Sequence, residues 1–247
     1  MDTKLKVLAI GNSFSTDSTR YLHEICTAGG ISSKVVNLYI GGCSLATHYK
    51  NINNDDRAYA LEFNGHSTGF YVSVREALQS DMWDFVTMQQ ASHYSTDYNT
   101  YVPYLKALSE YVKLHAPKAT QVFHRTWGYE NGSDKLCNEQ GYDTHDAMFA
   151  EIKVASGKAT REIGLDFTIA SGDLIERMTS AGVKDIYRDS YHLSLGIGRY
   201  AVAALWYERL TGNSIAENNF QVFDEKIDST ALAEIKKFVA NTKLYHK

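Results

Sequence analysis

The sequence predicts an α/β protein, a three-layer α/β/α sandwich around a central parallel sheet of about five strands, with all 247 residues in one domain. Three observations predict it. Short apolar, β-branched runs alternate with amphipathic stretches, the pattern of parallel strands covered by crossover helices. The first three runs stop at Gly or Gln, and several of the amphipathic stretches carry Ser, Asp or Thr near their starts and Gly near their ends. No internal repeat, low-complexity segment or long linker divides the chain.

The elements follow in order. LKVLAI at 5–10 reads as the first strand, and a helix over 17–29 follows GNSFS, with Asp17 or Ser18 as its candidate cap. VVNLYI at 35–40 is the second strand, followed by Gly41-Gly42-Cys43-Ser44 and a helix over 43–51. Residues 59–72, YALEFNGHSTGFYV, place an Asn-Gly pair between two aromatic runs, which predicts an inserted β-hairpin. Because it lies between the second and third strands, that hairpin is expected to wall the substrate site. A helix over 72–80 leads to the third strand, DFVTMQ at 84–89, and a helix over 101–115 leads to the fourth, TQVFHRT at 120–126. A helix over 143–163, a strand LDFTI at 165–169 and helices over 172–181, 195–211 and 229–241 complete the chain.

Composition narrows the function. Lys and Arg total 25 against 29 Asp and Glu, a net charge of −4 with the acidic residues scattered, which argues against nucleic acid as a partner. The three cysteines fit no zinc or CxxC spacing and are odd in number, so a reducing compartment and no disulfide framework are expected. The first residues, MDTKLKVLAIG, are too short in apolar content for a signal peptide, and no segment reaches the ~20 apolar residues of a membrane span. The expectation is therefore a cytoplasmic chain with no membrane partner; the oligomeric state is not legible.

In open parallel sheets, ligands bind at the carboxyl ends of the strands. Those ends carry Gly11-Asn12-Ser13-Phe14-Ser15, Gly41-Gly42-Cys43-Ser44 and Gln89-Gln90-Ala91-Ser92-His93, with Thr126 and Trp127 after the fourth strand. Later comes Arg188-Asp189-Ser190-Tyr191-His192-Leu193-Ser194. A serine after a strand, turns with free backbone N–H groups, a side-chain amide, an acid and an imidazole are the components of acyl transfer.

GNSFS, the Gly-Gly turn, the amide after the third strand and DxxH before a long helix resemble the four signature blocks of the SGNH, or GDSL-like, hydrolases, whose sheet is flavodoxin-like. The wording GNSFS, GGCSL, MQQAS and DxxHLS is similar to a branch of bacterial SGNH esterases with Gln in place of the third-block Asn. The resemblance runs from residue 6 to about 211. It implies Ser13 as nucleophile, His192 as general base and Asp189 as the group that orients the imidazole. It also implies an oxyanion hole from the N–H groups of Ser13 and Gly42 and the side-chain amide of Gln89. Chemistry needs these types: a serine hydroxyl is a weak nucleophile until an imidazole takes its proton, and the imidazole needs a third group to fix its tautomer. A helix N-terminus behind the serine would favour negative charge on the acyl oxygen.

Gln90, His48, His93, Trp127 and Tyr191 are further candidates for contact with substrate, or equally for ordinary packing. No metal site is indicated, because the histidines lack ligand spacing, and no cofactor, because neither GxGxxG after a strand nor GxxxxGK[ST] occurs. The expected partner is a small-molecule or carbohydrate ester, with O-acetyl on a sugar leading by resemblance. Three other readings stand beside it: a lipase- or thioesterase-like hydrolase, an inactive carbohydrate-binding protein on the same fold, and a module in which GNSFS cradles a phosphate.

Overall fold

The computed structural model describes residues 4–165 and 167–242 together with the backbone of a final strand at 245–246. Eight strands form one sheet in the order β4-β3-β2-β1-β5-β6-β7-β8. Its parallel part comprises β1 (Leu5–Gly11), β2 (Ser33–Tyr39), β5 (Phe85–Met88), β6 (Thr120–His124) and β7 (Phe167–Ile169). These are the five strands the apolar runs predict: β1 gains Gly11, β2 shifts toward its start, and β5, β6 and β7 are shorter than expected; residue 166, inside the expected fifth run, lies outside the described residues. Counting only parallel strands, the order is 2-1-3-4-5, so the switch point lies where β1 meets β5.

β1 shows why the sheet forms. Its alternate side chains enter different cores: Val7 and Ala9 join one, Leu8 and Ile10 the other, and all four are fully buried. Helices α3 (Leu45–Asn54), α4 (Val74–Gln79) and α5 (Tyr104–His115) close the Leu8 side through Leu45, Leu78 and Leu108. Helices α1 (Ser13–Thr19), α2 (Leu22–Ala28), α7 (Ser171–Ser180), α8 (Ile197–Thr211) and α9 (Ser229–Ala240) contribute to the Val7 side. Long helix α6 (His145–Ile163) sends Met148, Phe149 and Ile152 to that core and Ala155 and Ala159 to the other.

The expected helix 17–29 is two helices. α1 begins at Ser13 itself, capped by Asn12 and not by Asp17 or Ser18, and α2 follows after a two-residue break. Asn12 wins because its extended backbone aims Oδ1 at the Phe14 N–H, 3.0 Å away. α3, α4, α5, α6 and α8 start two or three residues inside the expected bounds, with Ser44 and Ser73 capping α3 and α4, whereas α7 starts one residue early and α9 where expected.

Strands β3 (Tyr59–Phe63) and β4 (His66–Val72) form an antiparallel hairpin that extends the sheet beyond β2. Its turn, Asn64-Gly65, has φ of 51° and 83°, the left-handed pair that an Asn-Gly turn accepts readily. A Cβ on Gly65 would sit 2.1 Å from the Arg20 carbonyl oxygen, so the turn also requires glycine for close approach. Half-buried Glu62 accepts hydrogen bonds from Asn37 Nδ2 and Thr16 Oγ1, tying the hairpin to β2 and α1. The last strand, β8 (Tyr245–His246), adds antiparallel to β7, which no apolar run predicts. Among the described residues no helix is long and apolar enough to cross a membrane.

Candidate active site

Ser13 is the first residue of α1, immediately beyond β1 and beside the switch point. Gly11 is needed before it because a Cβ there would lie 2.5 Å from Ser15 Oγ and 3.0 Å from Gln89 Cδ. As the first helical residue, Ser13 keeps a backbone N–H with no intrahelical acceptor. Phe14 turns inward and stacks on Trp127, ring centroids 4.3 Å apart, which fixes the start of the helix.

His192 and Asp189 lie on the loop between α7 and α8. Tyr187 and Leu193 pair across this loop as an isolated antiparallel bridge, and Arg188 N–H donates to His192 O at 3.0 Å. The tight turn between them puts Ser190 at φ 74°. Asp189 Oδ1 accepts from the His192 backbone N–H at 2.9 Å, while Oδ2 lies 2.8 Å from His192 Nδ1. An ionised carboxylate only accepts, so Nδ1 carries the proton and Nε2 is the acceptor. Nε2 lies 2.8 Å from Ser13 Oγ, across 179 residues of sequence.

Burial alone would raise the Asp189 carboxyl. Hydrogen bonds from the His192 ring and backbone outweigh it and hold the group below the ordinary carboxylate value. The loop is anchored by Asp17, fully buried in α1, which accepts from Leu193 N–H at 3.0 Å, Arg188 Nη1 at 2.9 Å and Arg199 Nε at 2.8 Å. Trp127 Nε1 donates to Tyr191 O at 2.8 Å from the other side.

Ser13 and His192 open into a cleft of about 790 Å³. It is lined by Asn12, Phe14, Tyr39, Gly41, Gly42, Ser92, His93, Tyr129, Tyr191 and Arg188, and by Lys135, Glu139 and Gln140 from a segment whose Lys135–Glu139 is a π-helical turn. None of the lining side chains is aliphatic. Gly42 has φ 62°, a conformation that frees its N–H in the turn, and neither that N–H nor the N–H of Ser13 meets an acceptor among the described residues.

The other sequence candidates divide. His93 and Tyr191 line the cleft. Gln89 does not: it is buried, and its Nε2 donates to Asn12 Oδ1 at 2.8 Å, so its amide serves the residue before the nucleophile. Gln90 is also buried, with Oε1 accepting from Leu45 and Ala91 N–H and Nε2 donating to Thr100, which fastens α3 to the strand-end loop. His48 is fully buried against Tyr59 Oη at 2.8 Å, and Trp127 is fully buried under Phe14. Hairpin residues 59–72 are likewise absent from the lining, because the strands extend the sheet away from β1. Asn12, Tyr39, Tyr129, Lys135, Glu139, Gln140 and Arg188 are lining residues the sequence did not single out. Asn12 stands at a strand end beside Ser13, but a helix start placed at 17 hides its part as the cap of α1. Among the described residues there is no cluster of His, Cys, Asp or Glu fit to hold a metal ion.

The doubly wound sheet with helices on both faces matches the fold of solved structures described as putative SGNH and GDSL-like hydrolases. The chain belongs to the DUF4886 family, a domain of unknown function, whose model matches residues 6–242. A crystal structure of a DUF4886 family protein from Bacteroides uniformis is 34% identical with a TM-score of 0.88, covering 97% of this chain and 94% of that one. A protein from Slackia heliotrinireducens described as "a putative SGNH hydrolase" is 25% identical with a TM-score of 0.61, covering 83% and 98%. A "putative GDSL-like lipase" from Parabacteroides merdae shares the fold at 17% identity, TM-score 0.54, covering 84% and 95%. No curated protein matches the chain.

Proposed function

We propose that this chain is a serine esterase that opens a small O-acyl ester through an acyl-enzyme, with O-acetyl on a carbohydrate as the leading substrate class. One observation carries the reading: Ser13 Oγ, His192 and Asp189 form a continuous hydrogen-bonded series, 2.8 Å at each step, whose Ser13 and His192 line an open cleft.

In this reading Ser13 Oγ attacks the ester carbonyl carbon as His192 Nε2 takes its proton. Negative charge on the carbonyl oxygen is met by the N–H groups of Ser13 and Gly42. His192 then gives the proton to the departing alcohol oxygen, leaving the acyl group on Ser13. Water, deprotonated by the same nitrogen, attacks the acyl-enzyme and frees Ser13 with release of the acid. Asp189 keeps Nδ1 protonated throughout and stabilises the transient imidazolium. All of these steps use side chains and backbone of the chain itself.

The cleft supports the substrate class. Tyr39, Tyr129, Tyr191 and His93 offer aromatic faces with polar tips, and Lys135, Glu139 and Gln140 offer hydrogen bonds, as a polyhydroxylated alcohol requires. A long acyl chain would need an aliphatic channel, and the lining has no aliphatic side chain. The test is hydrolysis of p-nitrophenyl esters of increasing acyl length: a burst of p-nitrophenol with acetate and falling kcat/KM with longer chains is expected. Preference for long chains would replace this reading with a lipase-like one, and no turnover of any ester would remove it.

A further inference from the structure

Behind the Ser13 turn runs a chain of buried polar groups that the reaction steps above do not use. It crosses the carboxyl edge of the sheet from α8 to the turn after β2. Trp206 Nε1 donates to Ser171 Oγ at 3.3 Å, and Ser171 Oγ lies 3.0 Å from His124 Nε2. His124 Nδ1 lies 2.8 Å from Gln89 Oε1, Gln89 Nε2 lies 2.8 Å from Asn12 Oδ1, and Asn12 Nδ2 lies 3.1 Å from Cys43 O. Each of these side chains is essentially inaccessible to water, so no solvent can substitute for a lost partner.

The direction of every bond in the chain is determined. The Asn12 amide holds the Gln89 nitrogen, so Gln89 turns its oxygen to His124 Nδ1 and the neutral imidazole carries its proton there. Ser171 Oγ, which accepts from the Trp206 indole, then turns its proton to His124 Nε2, with Ser18 Oγ, itself donating to the Phe14 carbonyl, 3.4 Å away. Nε2 is then an acceptor, and the imidazole proton sits on Nδ1, pointing at Gln89. At the other end the Phe14 N–H donates to Asn12 Oδ1 and the Cys43 carbonyl can only accept, which fixes both ends of the Asn12 amide. Gln89 fits only if its oxygen faces His124 and its nitrogen faces Asn12. Burial favours this arrangement by pushing the His124 imidazole down to about 3, so it is uncharged at neutral pH.

We propose that His124 is a positioning residue for the reaction at Ser13: through Gln89 and Asn12, its imidazole holds the Ser13 turn and the Gly42 turn at a fixed separation. The inference rests on the esterase reading above. Asn12 is the clamp, since one end of its amide caps α1 beside Ser13 and the other grips the carbonyl of the residue after Gly42. Those two turns carry the N–H groups assigned to the oxyanion. A 180° flip of the Asn12 amide would set N–H against N–H at Phe14 and oxygen against oxygen at Cys43. Gln89 opposes the flip only while its own oxygen is held by His124.

The experiment compares His124→Leu, which removes the Nδ1 donor, with His124→Asn, whose amide nitrogen can occupy the Nδ1 position, using p-nitrophenyl acetate and thermal unfolding of each variant. His124→Leu is expected to lower kcat about 10–100-fold with KM changed less than about threefold, because a displaced oxyanion donor acts on the transition state and not on ester binding. His124→Asn is expected to recover most of kcat. A folded His124→Leu with kcat within about twofold of the parent overturns the proposal, and so does a folded His124→Asn as impaired as the leucine variant. If His124→Leu does not fold, Gln89→Leu breaks the same chain from its other partner; an equal kcat loss supports the proposal and an unchanged kcat overturns it. A parent that neither turns over esters nor reacts with a fluorophosphonate at Ser13 removes the esterase reading and this inference together. A reactive, active parent with unaffected variants removes the inference alone.

Discussion

Asp17 of α1 accepts a hydrogen bond from the backbone N–H of Leu193 at 3.0 Å, joining the helix that bears Ser13 to the loop that bears His192. The carboxylate is fully buried and also holds Arg188 and Arg199, so one group sets the relation between nucleophile and base. Asp17→Ala leaves a buried backbone N–H without its acceptor and Arg188 without its anion, while Arg199 keeps only Asp224. A loss of about 3–5 kcal/mol in unfolding free energy is expected from denaturant titration. A loss below about 1 kcal/mol would mean that the loop is held by other contacts.

The Asp189 carboxylate is exposed on one side, yet it determines which nitrogen of His192 faces Ser13. Asp189→Asn can donate to Nδ1 and so favour the wrong tautomer. Acetyl-ester turnover should fall roughly 100- to 10,000-fold with little change in thermal stability. Unchanged turnover would assign the orienting role elsewhere.

Gly42 has open space around the position a Cβ would take, with His93 Cε1 4.0 Å away, but its φ of 62° is left-handed. Gly42→Ala should therefore cost about 1–2 kcal/mol of stability, without steric damage. Alanine keeps the N–H, so kcat reports how far the strained turn moves that donor: if it contributes to the oxyanion site, kcat for an activated acetyl ester falls by more than about tenfold while the fold persists. Steady-state kinetics and thermal melts on the same variant separate the two effects.

Stability should weaken on mild acidification. Burial lowers His48 to about 4 and His124 to about 3, against 6.5 for an exposed histidine. The unfolded chain therefore binds more protons than the folded one from about pH 6.5 downward, and the stability present above that value is lost as pH falls. Each histidine should remove about 2 kcal/mol between pH 8 and pH 5. The carboxylate of Asp189 is lowered by its hydrogen bonds from His192 despite burial, and Asp81 is lowered chiefly by Lys6 and Lys34; their contributions disappear only below the ordinary carboxylate value of 3.8. Urea unfolding at pH 8, 6.5 and 5 checks this; a folded His48→Phe variant should show a shallower decline, and a flat profile for the parent would contradict it.

How much the sequence disclosed depended on how local the determining physics was. Strands such as LKVLAI announce themselves because both faces are buried, and the Asn64-Gly65 turn because two adjacent residues supply its geometry. The three-residue spacing of Asp189 and His192 is also local, and the structure brings that pair to Ser13. Asp17 read as a helix cap because its partners, Arg188, Leu193 and Arg199, are more than 170 residues away. Gln89, Gln90, His48 and Trp127 sit beside strand ends in sequence, yet each finds internal partners that draw it into the interior and off the cleft. β8 is two residues long and carries no apolar run to betray it.

The central claim is that Ser13 is a nucleophile activated by His192. Treatment with a serine-directed fluorophosphonate followed by peptide mass spectrometry tests it most directly. The account predicts a single phosphonylated site at Ser13, lost in Ser13→Ala and strongly slowed in His192→Ala. A folded parent in which Ser13 stays unmodified, or is modified equally fast without His192, would contradict it.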